Sequence, residues 1–294
     1  MNNTCEAYNK KEQHKLERLL ANSTTWPTNM GGWQPGKDVS FRGKSLLKDL
    51  NHLSWMSLII YAITGKEPEP KQLELYEGIW VISTSFPDPR LWNNRIATLA
   101  SNARSTPVLG ISAGIAVSEA TIYGHRPLIA TIDFLYDVKN KINHGANLHD
   151  ELRKRYLSPT SSNPGKGKNR QPAKIPGFGR PITSVDERRK PLLDLAKKCQ
   201  VNHGPILHLA LDIEVQLKTI APALKMNIAT LMAALCADQG MSPREFYYFV
   251  SLCFSGGILA CAVDAESHRE GSFFPLPCSA IEYNGRPRRQ WKTI

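Results

Sequence analysis

The stretch "IPGFGRPITSVDERRK", Ile175 to Lys190, decides how the rest of the chain is read. Gly177 and Gly179 flank Phe178. Gly-aromatic-Gly is a backbone device that permits positive φ and lets main chain approach a ligand or a neighbouring helix closely. Arg180 follows at once, and Asp186-Glu187-Arg188 comes six residues later. The turn therefore delivers a permanent cation, with no acceptor atom, to a place where backbone and ligand can meet.

Outward from that turn, 294 residues suffice for one large core or two smaller ones. Hydrophobic residues at 41% and charged residues at 21% describe an ordinary globular chain. The start, "MNNTCEAYNKKEQHKLERLL", is polar and charged and shows no secretory signal. The most apolar run, "LSWMSLIIYAI" at Leu53–Ile63, falls well short of the ~20 residues that cross a bilayer, so a buried core helix is expected. Cys5, Cys199, Cys236, Cys253, Cys261 and Cys278 form neither a CxxC pair nor a regular framework. Four of them (Cys199, Cys236, Cys253, Cys261) sit in apolar helical patterns as small hydrophobes. No metal is expected, and a reducing cytoplasm is the natural home of such a chain.

The formal charge of +11 calls for an anionic partner: nucleic acid, a membrane surface or a phosphorylated small molecule. Part of the excess is local: Lys166, Lys168, Arg170, Lys174, Arg180, Arg188, Arg189 and Lys190 share one Gly- and Pro-rich stretch. Arg286, Arg288, Arg289 and Lys292 crowd the C-terminal end. A solvated loop or tail carries equal weight with a binding role for such runs. No DNA- or RNA-reading motif accompanies the charge, which argues against nucleic acid, and no membrane partner is expected.

Helical periodicity dominates. Helices are expected at "KKEQHKLERLL", at "GKSLLKDLNHLSWMSLIIYAITG" closed by a glycine C-cap, at "PKQLELYEGIWVI" and at "LWNNRIATLASNA". The small-residue helix "PVLGISAGIAVSEATIY" suits a tight helix–helix or subunit interface. "PLIATIDFLYDVKNKI" and "LHDELRKRYL" follow, then a loop or hinge over 158–174. Helices resume at "DERRKPLLDLAKKCQ", "PILHLALDIEVQLKTI", "MNIATLMAALCADQ" and "SPREFYYFVSLCFSGGILACAVDAES". Convincing period-2 strands are missing, so the fold class is all-α.

The order of these features resembles the citrate synthases. "FRGKSL", "GKEP", "YGHRPL", "PGFGR…DER", "LKMNIAT", "FVSLCFSGGILACAVDAE" and "YNG" run collinear with that family's signature segments from about Asp38 to Trp291. The resemblance implies an all-α homodimer whose large and small helical domains close over a cleft. On this chain it implies an N-terminal extension at 1–37, a large domain at 38–128 plus 226–294, and a small domain at 129–225 that includes the basic loop 158–174. It also implies condensation of an acyl-CoA with a 2-oxo acid, with coenzyme A thioester as co-substrate and no tightly bound cofactor. In the family, one histidine hydrogen-bonds the thioester oxygen, an aspartate removes the α-proton, and a second histidine engages the oxo-acid carbonyl.

The chain departs from the pattern at those positions. The histidine of the glycine turn is Arg180, which holds a carboxylate or phosphate by a forked pair but shuttles no proton at neutral pH. The aspartate position falls on Ala229, and the first histidine falls near Ile129. An arginine and a further histidine of the family fall at about Phe254 and Cys261, and another histidine is replaced within Ser85–Arg90. Arg188 survives, with a carboxylate-binding role in the family and an ion pair to Asp186 or Glu187 as the alternative. His144, in "NHGAN", reads as a relocated catalytic histidine or, with more weight, as a surface residue at a helix boundary; His125 carries the same ambiguity.

The expected site is thus Arg180, His125 and His144 for chemistry and Arg180, Asp186 and Arg188 for the substrate. Lys166, Lys168, Arg170 and Lys174 would meet the CoA phosphates. Asp264 and Glu266 are further proton-transfer candidates. Two readings follow: a remodelled enzyme making or breaking C–C bonds on a 2-oxo or hydroxy acid, narrowly preferred, and a non-catalytic relative that binds a metabolite or partner subunit.

Overall fold

A computed structural model describes residues 13–21, 27–120, 124–158, 175–180 and 185–286. Residue contacts divide the chain into two compact units, 1–67 and 68–294.

In the first unit, residues 13–21 are helical, as expected. The unit also holds a sheet that the periodicity does not announce: antiparallel strands β1 (Gly31–Gln34), β2 (Asp38–Phe41) and β3 (Lys44–Ser45). Its visible signal is "QPGKD": Gly36 takes φ +71° and Lys37 N donates to the Gln34 carbonyl at 3.0 Å, closing the β1–β2 turn. All of β1 is exposed, so no alternating apolar face marks it. The expected long helix from Gly43 begins only at α1 (Trp55–Thr64). Upstream, Asp49 accepts from Ser45 N and Asn51 donates to the Leu47 carbonyl, local bonds that compete with helical ones. Ser54 then caps α1 by accepting from Ser57 N, and Gly65 closes it as expected. Arg42 donates to the Ala62 carbonyl at 2.8 and 3.2 Å, satisfying an acceptor the helix end leaves open.

The second unit is built from helices α2 (Pro70–Ser83), α3 (Trp92–Asn102), α4 (Pro107–Val117), α5 (His125–Asn143), α6 (Leu148–Leu157), α7 (Arg189–Lys198), α8 (Pro205–Ile220), α9 (Ile228–Asp238), α10 (Pro243–Val250) and α11 (Ser255–Glu266). The all-α expectation holds. Helix α9, "IATLMAALCAD", is apolar on all sides and is buried from Ile228 to Ala237. Such a helix belongs in a core, and α5, α7, α8 and α10 surround it. A second packed group joins α3, α4 and α11. The helices from the expected small domain and from the C-terminal part of the large one pack within this single unit.

The stretch read as one helix from Ser242 is broken by turns at 251–254 into α10 and α11. Taken end to end, Pro243–Glu266 is long and apolar enough to cross a bilayer, which the expected most apolar run, Leu53–Ile63, is not. Half of its apolar window is buried inside the fold, as in a core segment. Cys199, Cys236, Cys253 and Cys261 are buried free thiols, in keeping with the helical patterns they sit in.

Candidate functional site

The glycine turn is fastened to the start of α9. Gly177 and Gly179 both take positive φ, +79° and +94°. Gly179 N donates to the Lys225 carbonyl at 2.6 Å, and Asn227 N donates to the Gly177 carbonyl at 3.0 Å. Asn227 uses its side chain twice: Nδ2 donates to the Gly179 carbonyl at 2.9 Å while Oδ1 caps α9 by accepting from Ala229 N. The Thr230 hydroxyl donates to the Gly177 carbonyl at 2.5 Å. A Cβ on Gly177 would collide with Thr230 Oγ1 and Thr131 Cγ2, so close approach as well as φ requires glycine there.

This clamp forms one wall of a cavity of about 600 Å³. The C-terminal end of α2 (Ser83), the segment at Phe86–Leu91, the start of α5 (Gly124, Pro127, Leu128), the first turns of α9 and Phe254 complete it. The segment at Ser85 reaches α11 closely: a Cβ on Gly257 would meet the Ser85 carbonyl.

Three of the expected residues converge on this cavity: Arg180, Asp186 and Arg188 line it. The Asp186 carboxylate is fully buried. It takes a forked pair from Arg188, Nε to Oδ1 and Nη2 to Oδ2 at 2.9 Å each, and accepts from Ile228 N at 3.0 Å. Burial opposes its ionisation, but Arg188 and the backbone donors outweigh that and hold it below the usual aspartate range. Arg188 also lies over the Phe86 ring, 5.3 Å from its centroid. Arg180 Nη1 donates to Glu187 Oε2 at 2.6 Å and to the Val185 carbonyl at 3.1 Å, with Asp186 Oδ1 3.8 Å away. The ion-pair alternative considered for Arg188 is therefore what the structure shows, and Arg180 is paired in the same way.

The histidines do not join them. His144 is exposed just past the end of α5, where Nδ1 meets the Asn140 carbonyl at 2.7 Å. It stands at a helix boundary and does not line the cavity. His125 is buried one layer behind, its ring stacked on Phe254 with centroids 4.9 Å apart and planes 6° apart. Burial lowers its pKa against the opposing pull of Glu119, whose Oε1 lies 3.6 Å from Nδ1. Its Nε2 has no hydrogen-bond partner among the described residues. Asp264 and Glu266 are exposed on α11 and do not line the cavity. Lys166, Lys168, Arg170 and Lys174 lie outside the described residues.

The sequence reading passed over two charged wall residues, Asp88 and Arg90. Arg90 Nε and Nη2 both bond the Asp88 carboxylate, at 2.9 and 2.6 Å to Oδ2, and with the Arg90 backbone N–H they lower its pKa to about 2. "DPR" within the replaced histidine segment was the available signal. Ala229, where the resemblance expects the proton-abstracting aspartate, does face the cavity. Ile228, Met232, Leu91, Leu128 and Phe254 line it too, so much of its wall is apolar.

The fold of the helical unit is citrate synthase-like. Solved structures share it along nearly the whole chain. Citryl-CoA lyase from Hydrogenobacter thermophilus superposes with a TM-score of 0.72 at 20% identity, over 90% of this chain and 97% of that one. ATP citrate lyase from Methanothrix soehngenii, solved with citrate and coenzyme A, gives a TM-score of 0.67 at 18% identity over 92% of this chain, which spans 44% of that chain. Citrate synthase from the archaeon Thermoplasma acidophilum, in a ternary complex with carboxymethyl coenzyme A and oxaloacetate, gives 0.57 at 16% identity over 82% of this chain and 59% of that one. No protein-family model and no curated protein sequence matches the chain.

Proposed function

We propose that this protein binds a carboxylate-bearing ligand, free or as a coenzyme A thioester, at Arg180 and Arg188, and performs no citrate-synthase-type condensation. The observation that carries this reading is the cavity's composition: arginines converge where the scaffold presents its turn, Ala229 stands at the base position, and no histidine is among the lining residues. Each acid–base group contributes roughly 10²–10⁴ in rate, so a cavity whose described lining holds no histidine and no aspartate at the base position lacks much of that chemistry. The acids present are poor substitutes. Asp88 and Asp186 are both held ionised by arginines and have low proton affinity. Of the two readings, the binding protein is therefore the one the geometry favours. Coenzyme A enters because the similar ATP citrate lyase and citrate synthase structures hold it or a derivative. Phosphate contacts from Lys166, Lys168, Arg170 and Lys174 belong to the same proposal, as do a cytoplasmic setting and a homodimer.

The test pairs calorimetric titration of citrate, oxaloacetate, coenzyme A and acetyl-CoA with a thiol-release assay over a panel of acyl-CoAs and 2-oxo acids. Saturable binding of a carboxylate or CoA ester without thiol release is expected. Thiol release above the uncatalysed rate for any pair would replace this reading with the enzymatic one.

A further inference from the structure

The wall segment that carries Phe86, Asp88 and Arg90 has little means of holding its own shape. Pro87 and Pro89 alternate through it and supply no backbone N–H. Its local bonds are two turns, Asp88 N to the Phe86 carbonyl at 2.6 Å and Leu91 N to the Asp88 carbonyl at 3.1 Å. The anchor comes from α3. Asn94, fully buried, donates through Nδ2 to the Phe86 carbonyl and, at 3.2 Å, to the Asp88 carbonyl. Its neighbour Asn93 donates to Ser85 Oγ at 2.7 Å and accepts from Asn94 N at 2.9 Å. Asn94 Oδ1 has no hydrogen-bond partner among the described residues. A buried acceptor left unpaired costs stability, so packing alone does not account for an amide at this position.

What its donors hold is the support of Arg188. The fork to Asp186 takes Nε and Nη2 and fixes that edge of the guanidinium, leaving its plane able to tilt about the pair. The Phe86 ring, its centroid 5.3 Å from the guanidinium carbon, sets the tilt from one face. Arg188 lines the cavity, and its Nη1 takes no partner among the described residues. The tilt therefore decides where the remaining N–H groups of this arginine point.

We infer that Asn94 is a positioning residue for the cavity: by holding the Phe86 carbonyl it seats the Phe86 ring against Arg188 and so aims that arginine at the ligand. Asn94 is not itself among the lining residues. The inference rests on the carboxylate-binding reading above and adds a residue that acts on the site from behind the wall.

Two measurements on the full chain test it. The first needs no ligand: the Arg188 Nε–Hε proton resonance, identified by its loss in Arg188→Lys, reports the ring current of Phe86. Asn94→Leu, which keeps the volume and removes both donors, should move that resonance toward its position in Phe86→Leu. Asn94→Ala, measured alongside, covers the case in which leucine is not accommodated. A resonance that stays at its wild-type position in a folded Asn94 variant would overturn the inference. The second measurement is calorimetric titration with citrate. The Asn94 variant and Phe86→Leu should each weaken binding by about tenfold, or about 1.4 kcal/mol, and the double variant should lose no more than either single one. Losses that add would show Asn94 acting by a route other than the Phe86 ring, and would equally overturn it. Citrate that fails to bind the wild-type chain strikes the carboxylate reading alone, because the resonance still decides whether Asn94 seats the ring.

Discussion

At the residue scale the critical group is Asp186, a buried carboxylate serving two arginines and a helix start. Replacing it by Asn leaves Arg188 without a counter-charge and places an amide N–H₂ among donors. Asp186→Asn is expected to cost roughly 3–5 kcal/mol in urea unfolding, as when one partner of a buried pair is removed. The double variant Asp186→Leu/Arg188→Met should lose less than the single one, since no charge is then stranded. The pH dependence follows from the direction of the shift. The folded pKa of Asp186 lies below its unfolded value near 3.8, so its stabilisation is complete above that value. It is lost as pH falls through the folded pKa, when both states are protonated. Unfolding midpoints followed from pH 6 down to pH 2 (about the span of carboxylate titration) should show a shallower acid limb in Asp186→Asn than in wild type.

At the element scale the glycine turn works because the segment 225–230 holds it from below. Gly177→Ala would meet both a left-handed φ and the Thr230 and Thr131 side chains. A loss of about 2–4 kcal/mol is expected, combining the left-handed penalty with overpacking. A thermal midpoint within a degree of wild type would show that the turn is not clamped as described. Helices were legible for ordinary reasons: Pro70, Pro107, Pro205 and Pro243 each open one, and Gly65 closes another. The failures have local causes too. Asp49 and Asn51 draw the backbone before α1 into turns, and β1 carries no alternating pattern because neither of its faces is buried. The break at 251–254 was hidden because apolar residues continue through it.

At the scale of the whole molecule, the exposed apolar residues on the α3–α4–α11 group bear on assembly. Val108 is 74% exposed and Val263 69%, on helices rich in small and apolar residues. Exposed apolar surface of this kind marks association sites. The proposed homodimer should therefore sediment at twice the chain mass, and Val108→Asp/Val263→Asp should shift it to the monomer with the helical circular dichroism unchanged. A wild-type chain that sediments as a monomer at micromolar concentration would end that proposal.

Local sequence sufficed for the helical class, most helix limits, the special backbone at Gly177 and Gly179, and the fact that neither Arg180 nor Ala229 carries a side chain that shuttles protons at neutral pH. These are local properties, written in neighbouring residues through periodicity, capping and side-chain chemistry. Only the tertiary structure decided which charges meet. It paired Arg188 with Asp186 and Arg180 with Glu187, left His144 at the surface, hid His125 behind Phe254, and brought Asp88 and Arg90 to the same wall. Pairing and burial depend on residues far apart in the chain, and a pair's strength is set by the water excluded around it, which no short stretch of sequence records.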